Sequence, residues 1–166
     1  PENIVTYQYD EMGNPKRQQS SVGAIEAFGY DNQGRVLHHT REKADGTQSI
    51  STSARYDKNG NRRFETDGNG VGHETAYDAL NRMIRSEVTI SGIPQTVSYG
   101  YDANGNQTAV TDWLGNTVTN IYDSLNRLIE TRDAFGTSVQ KLEYDLNNAQ
   151  TGSYDALGNK TQYIYD

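Results

Sequence analysis

Histidines and carboxylates are the side chains of this sequence whose types could support metal binding or catalysis. His38 and His39 are adjacent, and His73 lies in a Gly-rich segment that we interpret as a turn. Neighbouring side chains of an extended strand point to opposite faces, so His38 and His39 are badly placed to bind one ion together. We therefore interpret the three histidines as ordinary surface residues.

The segment 67–72, Asp-Gly-Asn-Gly-Val-Gly, is similar to the start of a calcium-binding loop with Asp78 at its twelfth position. However, Val71 occupies a ligand position and no helical pattern flanks the segment, so a hairpin turn explains these residues better. The sequence has no G-x-S-x-G, phosphate-binding-loop or HExxH pattern. We expect no catalytic residue, no cofactor and no bound metal.

Most of the aspartates belong to a repeat, which indicates a structural role for them. The pair Tyr-Asp recurs every 21 to 26 residues up to Tyr144 and then at intervals of 10 and 11, and Gly or Asn follows three residues after each Asp before the last. The residues of this motif are Tyr9, Asp10, Gly13, Tyr30, Asp31, Gly34, Tyr56, Asp57, Gly60, Tyr77, Asp78, Asn81, Tyr101, Asp102, Gly105, Tyr122, Asp123, Asn126, Tyr144, Asp145, Asn148, Tyr154, Asp155 and Gly158, with a further pair at Tyr165-Asp166.

This spacing is typical of a tight hairpin turn. An Asp at the first position accepts a hydrogen bond from the main chain two residues on, and the fourth position turns left-handed, which Gly and Asn tolerate best. We therefore expect Asn126→Gly to be tolerated. Similar turns without Tyr occur midway, from Ser20 to Gly23, Asp67 to Gly70, Asp112 to Gly115 and Asp133 to Gly136.

The segments between the turns have the length and period of β-strands. Val5, Tyr7 and Tyr9 alternate with polar residues, so the motif Tyr ends a strand on its apolar face. Lys43-Ala44-Asp45-Gly46 and Ser91-Gly92-Ile93-Pro94 are interpreted as enlarged loops, with Pro94 in the loop or at an edge. The sequence predicts an all-β fold, an antiparallel sheet of tandem β-hairpins.

Composition supports a half-solvated sheet and argues against several partners. Apolar residues make up 33% of the chain and 12 residues are Tyr, a side chain suited to partly exposed faces. The net charge is −7 and the sequence has no Lys/Arg-rich run, so we expect no nucleic-acid partner. No apolar stretch approaches the length of a membrane helix, and the start of the sequence, Pro1-Glu2-Asn3, has neither the basic nor the apolar region of a targeting signal.

The pattern at Tyr30-Asp31-Asn32-Gln33-Gly34-Arg35 and at residues 122–129 resembles the YD repeats of the Rhs family. That family includes bacterial polymorphic toxins, the C component of insecticidal toxin complexes and the teneurins. The resemblance implies a coiled, spiral ribbon that forms part of a hollow β-shell, in which relatives encapsulate a toxic C-terminal domain. Residues 1–166 would then be one YD-repeat array, a fragment of a larger bacterial protein that is secreted or exposed at the cell surface.

The resemblance also implies partners, and it identifies positions where this sequence differs from the family pattern. The partners would be adjoining repeats of the parent chain and an encapsulated toxin domain. Ala149 stands where the repeat has Asn or Arg, so the hairpin at Asp145 should be the weakest. In the bacterial relatives, an aspartate-containing segment with a nearby Pro cleaves the chain, and because this sequence has no Asp-Pro pair we expect no self-cleavage. Edge strands near residues 1–9 and 160–166 should favour self-association.

One alternative function stays open at the sequence level. Tyrosines and asparagines on an exposed sheet could form a carbohydrate-binding or adhesive surface. We favour packing between strands, because the turn period fixes the spacing of the tyrosines and does not cluster them in one patch.

Overall fold

A computed structural model describes residues 4–21, 23–43, 45 and 49–165, and in this part of the chain the regular elements are all β-strands. Most of the strands lie between two turns of the repeat. The strands are β1 Val5–Tyr9, β2 Pro15–Ser20, β3 Ala24–Tyr30, β4 Val36–Lys43, β5 Ser49–Tyr56, β6 Arg62–Thr66, β7 Gly72–Tyr77, β8 Met83–Ile90, β9 Ile93–Tyr101, β10 Gln107–Thr111, β11 Thr117–Tyr122, β12 Leu128–Arg132, β13 Ser138–Tyr144, β14 Gln150–Tyr154 and β15 Lys160–Gln162.

The chain divides into two units, Pro1–Gln95 and Thr96–Asp166. In the first unit, β1 to β8 pair one after another in antiparallel register. In the second unit, the part of β9 from Thr96 onward and the strands β10 to β15 do the same. The predicted all-β fold of tandem antiparallel hairpins is therefore confirmed.

In most hairpins closed by a Tyr-Asp turn, the strand after the turn contains a bulge opposite the motif Tyr. The register shifts between Gln8 and Tyr9, and it shifts in the same way before Tyr30 and Tyr56. Tyr9 pairs with Pro15 and Gln8 pairs with Arg17, so Lys16 is the extra residue in β2. The repeat therefore specifies the local pairing as well as the turn.

Neither unit has a second layer over its sheet among the described residues. No apolar side chain there is buried, and the tyrosines of the motif are half-buried or exposed. Burial of apolar area therefore contributes less here than in a domain with a closed core. Strand pairing and the hydrogen bonds of the turns carry correspondingly more of the stability.

The structure corrects three local predictions. Ser91 and Gly92, with φ of 52° and 79°, are the only residues between β8 and β9, so this segment is a tight two-residue turn and not an enlarged loop. Pro94 is the second residue of β9, where a missing N–H near the strand start is tolerated. His73 lies in β7 and not in a turn, because the preceding turn ends before Gly72.

Other predictions fall partly outside the described residues. These are the loop at Lys43-Ala44-Asp45-Gly46, of which residues 44 and 46 are not described, and the chain ends at residues 1–3 and 166.

Candidate functional site

In each unit, the turns that follow Tyr-Asp pairs lie along one edge of the sheet, with the exception of the Tyr154-Asp155 turn. They connect an odd-numbered strand to the next strand, and consecutive connections of that kind fall on the same side. We call this edge the Tyr-Asp rim, formed by residues 10–14, 31–35, 57–61 and 78–82 in the first unit and by 102–106, 123–127 and 145–149 in the second. The opposite edge is the distal rim, which includes residues 112–116, 133–137 and 155–159 of the second unit.

Asp102 shows how the aspartate organises its turn. One carboxylate oxygen, Oδ1, accepts the main-chain N–H of Asn104 at 3.0 Å and that of Asn106 at 2.9 Å. The other oxygen, Oδ2, accepts the Asn106 side-chain amide at 2.8 Å. Gly105 donates its N–H to the Asp102 carbonyl at 3.2 Å and has a φ of 93°, which a side chain would strain.

The remaining motif residues occupy equivalent positions. The same main-chain bond closes the turns at Asp10, Asp31, Asp57, Asp78, Asp123, Asp145 and Asp155. A positive φ is found at Gly13, Gly34, Gly60, Asn81, Asn126, Asn148 and Gly158. The sequence pattern did not reveal the second N–H bond of each carboxylate or the contact of Oδ2 with the fifth turn residue.

These hydrogen bonds lower the pKa of nine of the turn carboxyls. The main cause is the side-chain amide of the asparagine four residues on at Asp10, Asp102, Asp112 and Asp155, and the main-chain N–H four residues on at Asp67, Asp78 and Asp123. At Asp31 and Asp57, partial desolvation opposes the shift, but the hydrogen bonds outweigh it and the pKa is again lowered. All of these carboxyls are held as anions at neutral pH.

In six of the motifs, the tyrosine hydroxyl bonds to the neighbouring strand. Tyr122, at the end of β11, donates to the main-chain carbonyl of Gln107 at the start of β10, at 3.0 Å. The same bond to the first residue of the preceding even-numbered strand is made by Tyr30 to Pro15, Tyr56 to Val36, Tyr77 to Arg62, Tyr144 to Leu128 and Tyr165 to Gln150. This bond explains why the motif has Tyr and not Phe.

Neighbouring turns of the Tyr-Asp rim are also linked to one another. Asn126 Oδ1 accepts the side-chain amides of Asn104 at 2.8 Å and Asn106 at 2.9 Å. Asn81 accepts equivalent bonds from Asn59 and Asn61 in the first unit. The asparagine at the left-handed position therefore has a bonding role that glycine cannot provide.

Arginine supplies a second kind of link. The Arg127 guanidinium donates to the Asp145 carbonyl at 3.0 Å and to Asn148 Oδ1 at 3.1 Å, and its central carbon lies 4.7 Å from the centroid of the Tyr144 ring. Arg35 similarly lies 4.6 Å from the Tyr56 ring centroid. The fifth turn residue, Asn or Arg, thus connects its own Asp to the next turn.

Two turns depart from this pattern. Ala149 has no side-chain donor, so the Asp145 carboxylate keeps only its two main-chain bonds, to Asn147 and Ala149. Tyr154 ends an even-numbered strand, which places its turn on the distal rim, and its hydroxyl donates to Glu143 Oε1 at 2.7 Å. The next tyrosine bond, from Tyr165, returns to the regular pattern.

The histidines do not form a catalytic arrangement. In β4, His38 is exposed and His39 is half-buried, stacked on Phe28 with ring centroids 4.6 Å apart. His39 Nε2 lies 3.5 Å from Glu26 Oε2, too far for a good hydrogen bond. The nearby Ser53 hydroxyl contacts Thr66 Oγ1 at 2.9 Å, so it is paired with another hydroxyl and not with an imidazole.

Within the described ranges, no cluster of His, Cys, Asp or Glu is arranged to hold a metal ion. The same residues contain no helix with the length and apolar character needed to cross a membrane. What the turn residues can do chemically is bind main-chain amides and carbonyls of their own sheet.

The fold and the rims together define an array of β-hairpin repeats closed by Asp-capped turns. The model of the RHS Repeat family matches residues 95–117, which include Tyr101, Asp102 and Gly105. A search of curated proteins finds no match to the sequence.

Solved structures of toxin complexes share this fold. The crystal structure of TcdB2-TccC3 without its hypervariable C-terminal region has a TM-score of 0.76 and 16% identity over 98% of the chain. The TcdB2-TccC3-Cdc42 crystal structure has a TM-score of 0.71 and 16% identity over 91%, and the Photorhabdus luminescens Tc holotoxin pore has 0.71 and 18% over 95%. The chain spans 9% of each of these structures' matched chains. With the matching repeat, the shared fold confirms the resemblance to YD-repeat proteins of the Rhs family.

Proposed function

We propose that this chain is a segment of the wall of a larger β-shell, a noncatalytic scaffold that encloses a toxic C-terminal domain of its parent protein. The proposal rests on the single-layered construction of each unit, in which no described apolar side chain is buried. A wall has to be stable although both faces of its sheet are open. A domain that depends on a buried apolar core would not be stable in that form. Adjoining repeats and the enclosed domain are its partners in this proposal, and the parent is a secreted or surface-exposed bacterial protein.

The bonding of the motif residues supports a scaffold role over a sugar-binding role. Six motif tyrosines direct their hydroxyls at main-chain carbonyls of the same sheet. The motif aspartates are likewise occupied by turn amides, as Asp102 and Asp123 show. Groups engaged within the sheet hold strands together and are poorly placed to recognise a soluble ligand.

Protease protection in the parent protein tests enclosure. The C-terminal domain of the intact parent should resist a protease that digests the same domain when it is expressed alone. Gly105→Val, which strains a turn of the wall, should speed up its cleavage, whereas Leu125→Ser, at an exposed tip of the same rim, should not. Equal cleavage of the enclosed and isolated domains would refute the proposal.

A glycan array with the 166-residue chain tests the adhesive alternative. We expect no selective binding. Selective, saturable binding that is lost when exposed tyrosines such as Tyr7 and Tyr163 are changed to alanine would replace the scaffold by an adhesive module.

A further inference from the structure

The distal rim of the second unit carries a row of exposed apolar side chains at the tips of three consecutive turns. Phe135 is 92% exposed, Leu157 87%, Leu114 65% and Trp113 53%. On the first unit's distal rim, the described turn tips include the polar residues Ser21, Asn69 and Ser91, and the exposed Ile90 and Ile93 lie in strands. An apolar row of this kind on one rim is typical of an interaction surface.

The turns beneath these tips are suited to being covered. The main-chain N–H groups of Leu114, Phe135 and Leu157 already donate to the Oδ1 atoms of their turn aspartates at 2.9, 3.0 and 2.9 Å. An apolar partner that excludes water from the tips therefore leaves these amides satisfied. Covering the row gains apolar contact without that desolvation cost.

The charge around the row selects the chemistry of the partner. Asp112, Asp133 and Asp155 lie at the base of the three tips, and the neighbouring cations, Arg132 and Lys160, are each paired with a glutamate, at 3.0 and 2.7 Å. The row is therefore apolar at its tips and negative at its base. A second copy of the chain or an anionic membrane would be repelled, whereas an apolar surface bordered by Lys or Arg is attracted.

The spacing of the tips selects the form of the partner. Turns on one rim are two strands apart, about 9.6 Å at the usual spacing of paired strands. Seven residues of an α-helix advance about 10.5 Å. The distance between neighbouring tips therefore matches the length of one heptad. A helix that lies along the rim can place one apolar residue of each of three successive heptads on one tip.

From these observations we propose that the distal rim of the second unit binds a basic amphipathic α-helix, which places its apolar stripe on Trp113, Leu114, Phe135 and Leu157 and its Lys or Arg side chains beside Asp112, Asp133 and Asp155. This surface is separate from the Tyr-Asp rim and does not depend on the proposed wall function.

Trp113 is the single tryptophan of the chain, so its fluorescence reports directly on this row. The probe is a synthetic peptide of three heptads of leucine and lysine with an apolar stripe on one helix face. We expect a saturable blue shift of the emission. The double variant Phe135→Ser with Leu157→Ser should weaken binding at least tenfold without changing the charge, and Phe135→Leu should retain it.

Matched controls separate this site from general attraction. The double variant Leu125→Ser with Leu146→Ser removes exposed tips from the opposite rim of the same unit and should bind the peptide like the parent chain. Equal weakening in the two double variants, or equal binding of a scrambled leucine–lysine peptide, would overturn the proposal. So would a shift caused by vesicles of phosphatidylcholine or by raising the chain concentration alone, since these identify a membrane or a second copy as the occupant.

Discussion

Replacing Asn126 by glycine is the sharpest test of the links between turns, because the sequence pattern and the structure predict opposite results. Glycine adopts the φ of 63° found at Asn126 without strain, so the pattern alone predicts a neutral change. In the structure, however, Asn126 Oδ1 accepts two side-chain amides of the preceding turn. The substitution removes both bonds.

The expected magnitude follows from three contributions. Glycine adds conformational entropy to the unfolded chain, which costs about 0.4 to 1 kcal/mol. Relief of a left-handed L-residue returns a similar amount, at most about 1 kcal/mol for Asn, which tolerates this conformation best. The two lost hydrogen bonds then decide the sign, and at about 0.5 kcal/mol each for exposed groups they predict a net destabilisation of about 1 kcal/mol.

Urea denaturation of the parent chain, Asn126→Gly, Asn104→Ala and the double variant measures this directly. Because Asn104 donates one of the two bonds, the double variant should be more stable than the sum of the single changes predicts, by about 0.5 kcal/mol. Asn81→Gly loses the equivalent pair of bonds in the first unit and should behave like Asn126→Gly. A neutral Asn126→Gly with additive effects would refute the argument that the links stabilise the rim.

Four further results are expected. Gly105→Val and Gly60→Val, at φ of 93° and 90°, should each destabilise by about 1 kcal/mol or more, and unchanged melting temperatures would contradict the turn geometry. Tyr122→Phe should cost about 1 kcal/mol in urea because the Gln107 carbonyl loses one of its two side-chain donors and keeps only the Asn120 amide, whereas unchanged stability would show that the hydroxyl bond contributes nothing. Turn carboxyls such as those of Asp10, Asp102 and Asp123 have a lowered pKa in the folded chain, so the stability they contribute is present above the ordinary Asp pKa of 3.8 and is lost as the pH falls through the folded pKa values. A melting temperature that stays constant from pH 5 to pH 2 would exclude this contribution. Light scattering should show concentration-dependent self-association, promoted by salt, because β1 and β15 each have one strand partner among the described residues; a monomer at all concentrations would show that these edges do not pair.

Much of the fold could be predicted because the turns are specified locally. Asp at the first turn position and Gly or Asn at the fourth specify a hairpin turn independently of the rest of the chain. The segments between successive turns have the length of strands, so the strands could be predicted from the turns. The prediction was wrong at Ser91-Gly92, where the dipeptide forms a two-residue turn and the flanking Ile93 and Pro94 extend the strand. A longer gap between motifs indicated a longer loop, but the chain used the extra residues in strands.

The sequence pattern could not predict the hydrogen bonds between different hairpins. The targets of the Tyr122 hydroxyl and of the Asn104 and Asn106 amides depend on the register between strands, which the sequence does not state. A signal was present nonetheless. Tyr stands at the motif where Phe would serve packing equally well, and Asn or Arg often stands at the fifth turn position, so both positions indicate hydrogen-bonding partners.

The turn at Tyr154-Asp155 has a consequence for how such an array can grow. One strand, β14, separates it from the Tyr144-Asp145 turn, and for that reason it lies on the distal rim. Whether the strand before a turn is odd-numbered or even-numbered therefore decides on which edge of the sheet the motif lies. Gain or loss of two strands at a time, as by gene duplication, leaves every later motif on its own edge, whereas gain or loss of one strand moves all of them across, along with the side chains displayed at their tips. A family built from such arrays can change length freely in even steps and redistribute its two edges in odd ones.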